Sequence, residues 1–231
     1  SPAFAPDGNA ILYAAPGGPA GSGVAGGGTA AGDGTEFTGA GAAAVAAGTG
    51  AEPDAGTGAL WLFDPALDLY RASPSGASPL RLTDTPGYDA EASYSWGGAK
   101  IVFTSFRDGV GSLFLMNADG SAAQALTAGP GYAGGAQISP DGSRVVYHAV
   151  AVAGQQEMEI FVMDLEEKQA RQLTTLGATS CSPCWHPSQE YVIFCSNVSD
   201  RDFELYTVRL DGTGLERVTW NPGFDGFPSF S

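Results

Sequence analysis

One lead position recurs along this chain and leaves few folds open to it. An aromatic or branched aliphatic residue precedes a turn in four places and recurs at the carboxyl end: Phe4 (PAFAPDG), Tyr94 (ASYSWGG), Ile138 (AQISPDG), Trp185 (PCWHPSQ) and Phe230 (PSFS). From Tyr94 onward the spacings are 44, 47 and 45 residues. Ala136 to Thr174 shows the template most clearly: a strand, a Ser-Pro-Asp-Gly turn, a second apolar strand, then two more strands joined by a turn. A period of about 45 residues holding four short strands is that of a propeller blade, which cannot bury its apolar faces alone and stacks on its neighbours. The expectation is an all-β chain, a β-propeller of four-stranded antiparallel blades with about four blades present.

The repeat places blade one at 2–83, blade two at 92–127, blade three at 136–174 and blade four at 183–219, with the start of a further blade at 228–231. Second strands superpose as Ile11-Leu12-Tyr13, Ile101-Val102-Phe103, Val145-Val146-Tyr147 and Val192-Ile193-Phe194. Such continuous apolar runs suit strands buried on both faces. Fourth strands end in Leu82-Thr83, Leu126-Thr127, Leu173-Thr174 and Val218-Thr219. Asp119-Gly120 and Asp211-Gly212 supply hairpin turns between third and fourth strands.

Blade one is interrupted. Residues 16–58 are almost entirely Gly, Ala, Thr and Pro, with Val24, Phe37 and Val45 as the sizeable apolar residues. Such a stretch buries too little surface to offset its ordering entropy, so it reads as an insertion between second and third strands. It is either a neutral low-complexity expansion or a tether or lid over the propeller face. The third strand is expected at Leu69–Ala72, because Leu69–Thr83 matches Leu205–Thr219 without a gap; Leu60–Phe63 would extend it.

These residues resemble a known family. Phe-Ser-Pro-Asp-Gly-like turns, Leu-Tyr-x-Met-Asp-like third strands and Arg-x-Leu-Thr-like fourth strands are similar to the WD-like repeats of TolB-type propellers. The same repeats build the amino-terminal propellers of dipeptidyl-peptidase and acylaminoacyl-peptidase relatives. Blades two and four depart in their turns, with Trp96-Gly97-Gly98 and Pro187-Ser188-Gln189 in place of Pro-Asp-Gly. The chain opens and closes on first-strand motifs, and the resemblance implies about six or more blades, so a fragment of a longer polypeptide is expected.

Charge narrows the partners. There are 25 acidic and 10 basic residues, a net charge of −15, and Lys100 and Lys168 are the two lysines. Nucleic acid is excluded as a partner, since phosphates demand clustered Lys and Arg. No apolar run reaches membrane-spanning length, so no membrane insertion is expected. Ser1 reads as a processed or truncated end.

Candidate chemistry is sparse. Cys181-Ser182-Pro183-Cys184 is a CxxC followed by His186, with Cys195 on the next strand. No second ligand pair accompanies it and a strand entry replaces the helix that a redox motif needs, so a structural role is expected, and a Cys181–Cys195 disulfide is conceivable across two strands. His148 and His186 are too scattered for a metal cluster such as the propeller lyases use, and no Gly-x-Ser-x-Gly elbow occurs. No catalytic residue, cofactor site or metal site is assigned.

Acidic residues instead gather in two loop classes that emerge on one face. Asp84, Asp89, Glu91 and Asp225 precede inner strands; Asp108, Asp200, Asp202 and Glu204 lie between second and third strands. That rim would draw a basic partner, hold Ca²⁺, or simply be a solvated face. Arg107-Asp108 and Arg201-Asp202 are expected to form local ion pairs. The candidate partner face is Asp89, Glu91, Asp108, Asp200, Asp202 and Asp225, and Asn197-Val198-Ser199 is a glycosylation sequon beside it.

Two functions follow from the resemblance. One is a non-enzymatic scaffold that binds a protein partner through its acidic loop face, in an extracytoplasmic (secreted or periplasmic) setting. The other is the substrate-gating propeller of a serine peptidase whose catalytic domain lies outside this chain.

Overall fold

The structure, a computed structural model, describes residues 3–16, 64–129, 131–152, 154–199, 202–220 and 222–230. The insertion beyond Pro16, Leu60–Phe63, Asp200 and Arg201 lie outside them. Among the described residues, sixteen strands form four separate four-stranded antiparallel sheets, as the repeat predicts. The first holds β1 (Ala3–Phe4), β2 (Ile11–Pro16), β3 (Leu67–Ala72) and β4 (Leu80–Arg81). The second holds β5 (Asp89–Tyr94), β6 (Lys100–Ser105), β7 (Ser112–Asn117) and β8 (Gln124–Ala125). The third holds β9 (Ala133–Ile138), β10 (Arg144–Val150), β11 (Met158–Asp164) and β12 (Ala170–Gln172). The fourth holds β13 (Ser180–Trp185), β14 (Tyr191–Ser196), β15 (Glu204–Arg209) and β16 (Glu216–Arg217). In blade one, Leu69–Ala72 falls within β3, which pairs with β2 so that Tyr13 stacks on Tyr70 at 5.7 Å.

The core lies between blades rather than within them, which explains the unbroken apolar second strands. Ile101 and Phe103 of β6 pack with Leu12 and Leu69 of blade one, while Val102 between them packs with Ile138, Val145 and Tyr147 of blade three. Val146, between Val145 and Tyr147, turns the other way and joins Trp185, Val192 and Phe194 of blade four. Strand side chains alternate between faces, so successive residues of the run serve opposite interblade layers. The lead residues track this layering: Ile138 is 3% exposed and Trp185 1%, against 66% for Phe4 and 36% for Phe230. Inner strands β1, β5, β9 and β13 adjoin in that order.

The degenerate turns keep the geometry of the consensus one. Ser139 N–H donates to the Arg144 carbonyl and Gly142 N–H to the Ser139 carbonyl, at 2.8 and 2.9 Å. Ser95 and Gly98 repeat both bonds, as do His186 and Gln189. Gln189 carries a φ of 61° in doing so, the left-handed conformation that glycine supplies elsewhere. In blade three Asp141 fixes the turn by accepting from the Ser139 hydroxyl at 2.6 Å and the Ser143 N–H at 2.9 Å. Led by the Ser139 hydroxyl, these bonds hold its carboxyl at about 2.

Each inner strand from blade two onward carries one extra residue. Register shifts fall between Ala90 and Ser93 of β5, opposite Val146–His148 in β9, and between Cys181 and Cys184 of β13. Glu91, Gly135 and Ser182 occupy that bulge with φ of 51°, 57° and 52°, and Phe227, outside the sheets, has a similar φ of 55°. The bulge re-aims side chains at the inner edge of the blade, and the candidate site is built around it.

Candidate functional site

Antiparallel alternation puts the loops between second and third strands, and those leading into each first strand, at one end of the sheets. At that end the acidic residues divide into two groups. Strand-borne carboxylates are consumed by internal bonds, whereas the loop-borne Asp108 and Asp202 face solvent and Asp225 is half-buried.

Asp89 belongs to the first group. Its side chain is 0% exposed, and Arg107 reaches over it with Nη2 3.1 and 3.3 Å from the two carboxylate oxygens. Arg107 is itself held by the Ser105 hydroxyl at 2.8 Å and lies over the Phe114 ring at 4.5 Å. The expected Arg107–Asp108 pairing is therefore replaced by Arg107–Asp89, because the buried carboxylate requires a partner and the exposed Asp108 does not.

Glu91 forms the centre of a second cluster, spanning blades two and three. Its Oε2 accepts from the Tyr132 hydroxyl at 2.7 Å, the Thr104 hydroxyl at 2.9 Å and the Gly135 N–H at 3.0 Å. Tyr132 stacks toward His148, with ring centroids 5.7 Å apart, and Phe106 joins Tyr132 to Tyr88. Burial, then the Glu91 charge, raises the Tyr132 hydroxyl well above its usual range, so it stays a donor. Burial pushes His148 down, against the pull of Glu91, and its Nδ1 is enclosed without a hydrogen-bond partner. Gly135 permits this approach: a Cβ there would meet the His148 imidazole, with Nδ1 at 2.6 Å.

Glu204 also points inward. It accepts from Thr219 Oγ1 at 2.6 Å and from Arg217 at 2.6 Å, and these partners, Thr219 first, hold its carboxyl below the usual range. Asp68 with Thr83 and Arg81, and Glu159 with Thr174, repeat the clip in blades one and three. Burial raises Asp68 despite Arg81. In every blade the threonine also accepts the N–H of the third-strand residue that follows the clip's first position. The terminal threonine of the fourth strand thus has a task that was not recognised from sequence; the signal was an acid 15 residues ahead of it in three blades.

The remaining candidates sit apart from these clusters. Asp108 and Asp202 are exposed on loops, and Asp225 is half-buried with its N–H donated to the Phe203 carbonyl at 2.8 Å. Asn197 Oδ1 accepts the Thr179 N–H at 2.9 Å, and Ser199 of the sequon shares a 2.6 Å bond with Tyr206. His186 bonds Ser188 and stacks on Tyr191 at 4.2 Å, a turn-organising position. The CxxC lies along the extended strand β13. Among the described residues no group of three or more His, Cys, Asp or Glu side chains is placed to hold a metal ion, and no helix is long and apolar enough to cross a membrane.

Solved structures share this arrangement. TolB from Acinetobacter baumannii aligns with a TM-score of 0.63 at 20% identity, over 70% of this chain and 40% of its own. A protein from Agrobacterium tumefaciens described as a TolB aligns with the same TM-score and identity, over 99% of this chain and 64% of its own. A puromycin-hydrolyzing peptidase of Mycobacterium tuberculosis aligns with a TM-score of 0.53 at 17% identity, over 67% of this chain and 27% of its own. The chain thus spans less than two thirds of either TolB structure, and at these identities the likeness concerns the fold. The family model of the TolB beta propeller domain matches residues 53–231, and the chain belongs to that family.

Proposed function

We propose that this chain is a non-catalytic propeller scaffold that binds a protein partner on its loop-bearing acidic face, outside the cytoplasm. The observation that carries the reading is the division of carboxylates at that face. Asp89 is spent on Arg107 and Glu91 on Tyr132, Thr104 and Gly135, whereas Asp108 and Asp202 stay exposed on neighbouring loops. Exposed charge of one sign on a chain of net charge −15 steers association with a basic surface and makes it salt-dependent. The test is capture from an extracytoplasmic extract by the native protein and by a D108N/D202N variant across a salt series. The reading expects a partner retained by the native protein and weakened in the variant, chiefly through association rate. Equal capture by both, insensitive to salt, overturns the assignment of the face.

The shared fold of the Mycobacterium tuberculosis peptidase supports a second reading, a propeller that gates substrate entry to a peptidase domain. It expects the complete native polypeptide to react with a serine-hydrolase probe. A complete polypeptide that is inert to the probe removes it.

A further inference from the structure

We propose that Cys181 and Cys195 form a cross-strand disulfide when the chain folds in contact with a disulfide oxidant, leaving Cys184 as the single free thiol. Three observations converge on this pair. The two residues are direct partners in the β13–β14 ladder. Two residues along, Asn197 N–H donates to the Thr179 carbonyl, which puts Cys181 and Cys195 in phase as a hydrogen-bonded pair. Such pairs have Cα atoms about 5.5 Å apart, inside the span that a disulfide bridges. The sulfurs already stand 3.1 Å apart, so bond formation needs an approach of about 1 Å.

The surroundings suit the product. Both thiols are buried beside Met158, with Tyr132, Val150, Phe203 and Leu205 packed around them. A disulfide is uncharged and needs no hydrogen bond, so an apolar pocket holds it without cost to unsatisfied groups. Cys184 is excluded as the partner by the bulge. It pairs with Ile193, and its Sγ turns to the Trp185 carbonyl at 3.7 Å. In blade two the position equivalent to the cysteine pair is Ala90 opposite Thr104. Blade four therefore differs at both members of one pair.

The chemistry balances as thiol–disulfide exchange. The Cys195 thiolate attacks the oxidant disulfide, forming a mixed disulfide and releasing one thiol. The Cys181 thiolate then attacks the Cys195 sulfur, releasing the second thiol. Two electrons and two protons pass from the cysteines to the oxidant. Exchange proceeds while blade four is still open, or through its local opening, since neither sulfur is exposed in the closed fold.

The experiment is to refold the reduced chain in oxidised and reduced glutathione, quench by alkylation in denaturant, and measure intact mass. The expected product carries one alkyl group and is about 2 Da lighter than the remaining thiol count alone requires. Cleavage after Glu190 separates Cys195 from Cys181 and Cys184, and the two peptides stay linked until reduced. The Cys184→Ser variant keeps the link; the Cys181→Ala, Cys195→Thr double variant, which copies blade two, loses it. Closing this loop lifts Tm by roughly 6–12 °C relative to the reduced chain, and the double variant shows no reductant dependence. Three alkylated thiols, or a link that requires Cys184, overturns the proposal.

Discussion

Blades two and four solve the same inner-strand problem with opposite chemistry. Along β5 the residues before, within and after the bulge are Asp89, Ala90, Glu91 and Ser93; along β13 they are Ser180, Cys181, Ser182 and Cys184. Across the ladder, Ser105 faces Asp89 and Ser196 faces Ser180, and the latter two hydroxyls bond at 3.1 Å. Blade two fills the position with ions and reaches into blade three. Blade four fills it with hydroxyls and sulfur that bond to one another within the blade, and the sulfurs pack on Met158 and Val150 of blade three. The backbone tolerates both, since the left-handed bulge residue is Glu91 in one and Ser182 in the other. The bulge therefore recurs in blades two to four of this chain while its contents differ.

The sharpest way to break the comparison is at the buried ion pair. Arg107→Ala leaves Asp89 charged and unpaired at zero exposure, and a loss of about 3–5 kcal/mol is expected in denaturant melts. Converting both members to their blade-four counterparts, Asp89→Ser with Arg107→Val, costs far less than the single change. A double variant as unstable as Arg107→Ala shows that the arginine's ring contacts, rather than its charge, hold the loop.

Gly135→Ala comes next. The added methyl meets His148, in a left-handed conformation that Glu91 and Ser182 adopt at the same position of their blades, and a loss of about 2–4 kcal/mol is expected. Adding His148→Ala to Gly135→Ala restores part of that loss if the clash is the cause. No recovery on the double variant assigns the cost to backbone conformation alone.

Replacing Glu91 is expected to cost less. Glu91→Ala strands three donors, Tyr132, Thr104 and Gly135, for about 1–3 kcal/mol, whereas Glu91→Gln keeps a carbonyl oxygen for some of them. Equal losses for the two variants indicate that the carboxylate charge, not its accepting geometry, organises the junction.

How much of this could be read from the sequence depends on how far apart in the chain the partners lie. The blade period and the second strands were legible, because a strand serving two interblade layers must be apolar at every position, as in Ile101-Val102-Phe103. The third strand of blade one was legible from the ungapped match of Leu69–Thr83 to Leu205–Thr219, and the expected Leu69–Ala72 lies within β3. The acid–threonine clip was legible in principle from its fixed spacing. The site was not. Asp89 and Glu91 looked like rim charges because the sequence pattern puts them in the loop before an inner strand, whereas they lie on β5 itself, and Arg107, folded back across 18 residues, gave no sign of its pairing. Two of the three partners of Glu91, Tyr132 and Gly135, lie 41 and 44 residues away in the next blade, a distance at which one-dimensional pattern carries no pairing information.

His148 offers the finest test of the contrast. It is buried neutral in the blade-two–three junction, with its pKa lowered below the ordinary 6.5, and blade four carries Cys195 where blade two carries Thr104. On unfolding the imidazole regains its ordinary affinity for protons, so below about pH 6.5 the unfolded chain binds one proton more than the folded one. His148 thus contributes stability that is complete above that pH and is lost as pH falls through the unfolded value toward the folded one. Melts of the native chain should show this decline between about pH 6.5 and 5, and His148→Phe, which keeps the ring but cannot titrate, should flatten it. Carboxylate titration at lower pH affects both proteins alike, so the difference between their profiles isolates the imidazole. Identical slopes in that window would mean that His148 exchanges protons freely in the folded state, and that the junction opens far more readily than the blade-four pocket.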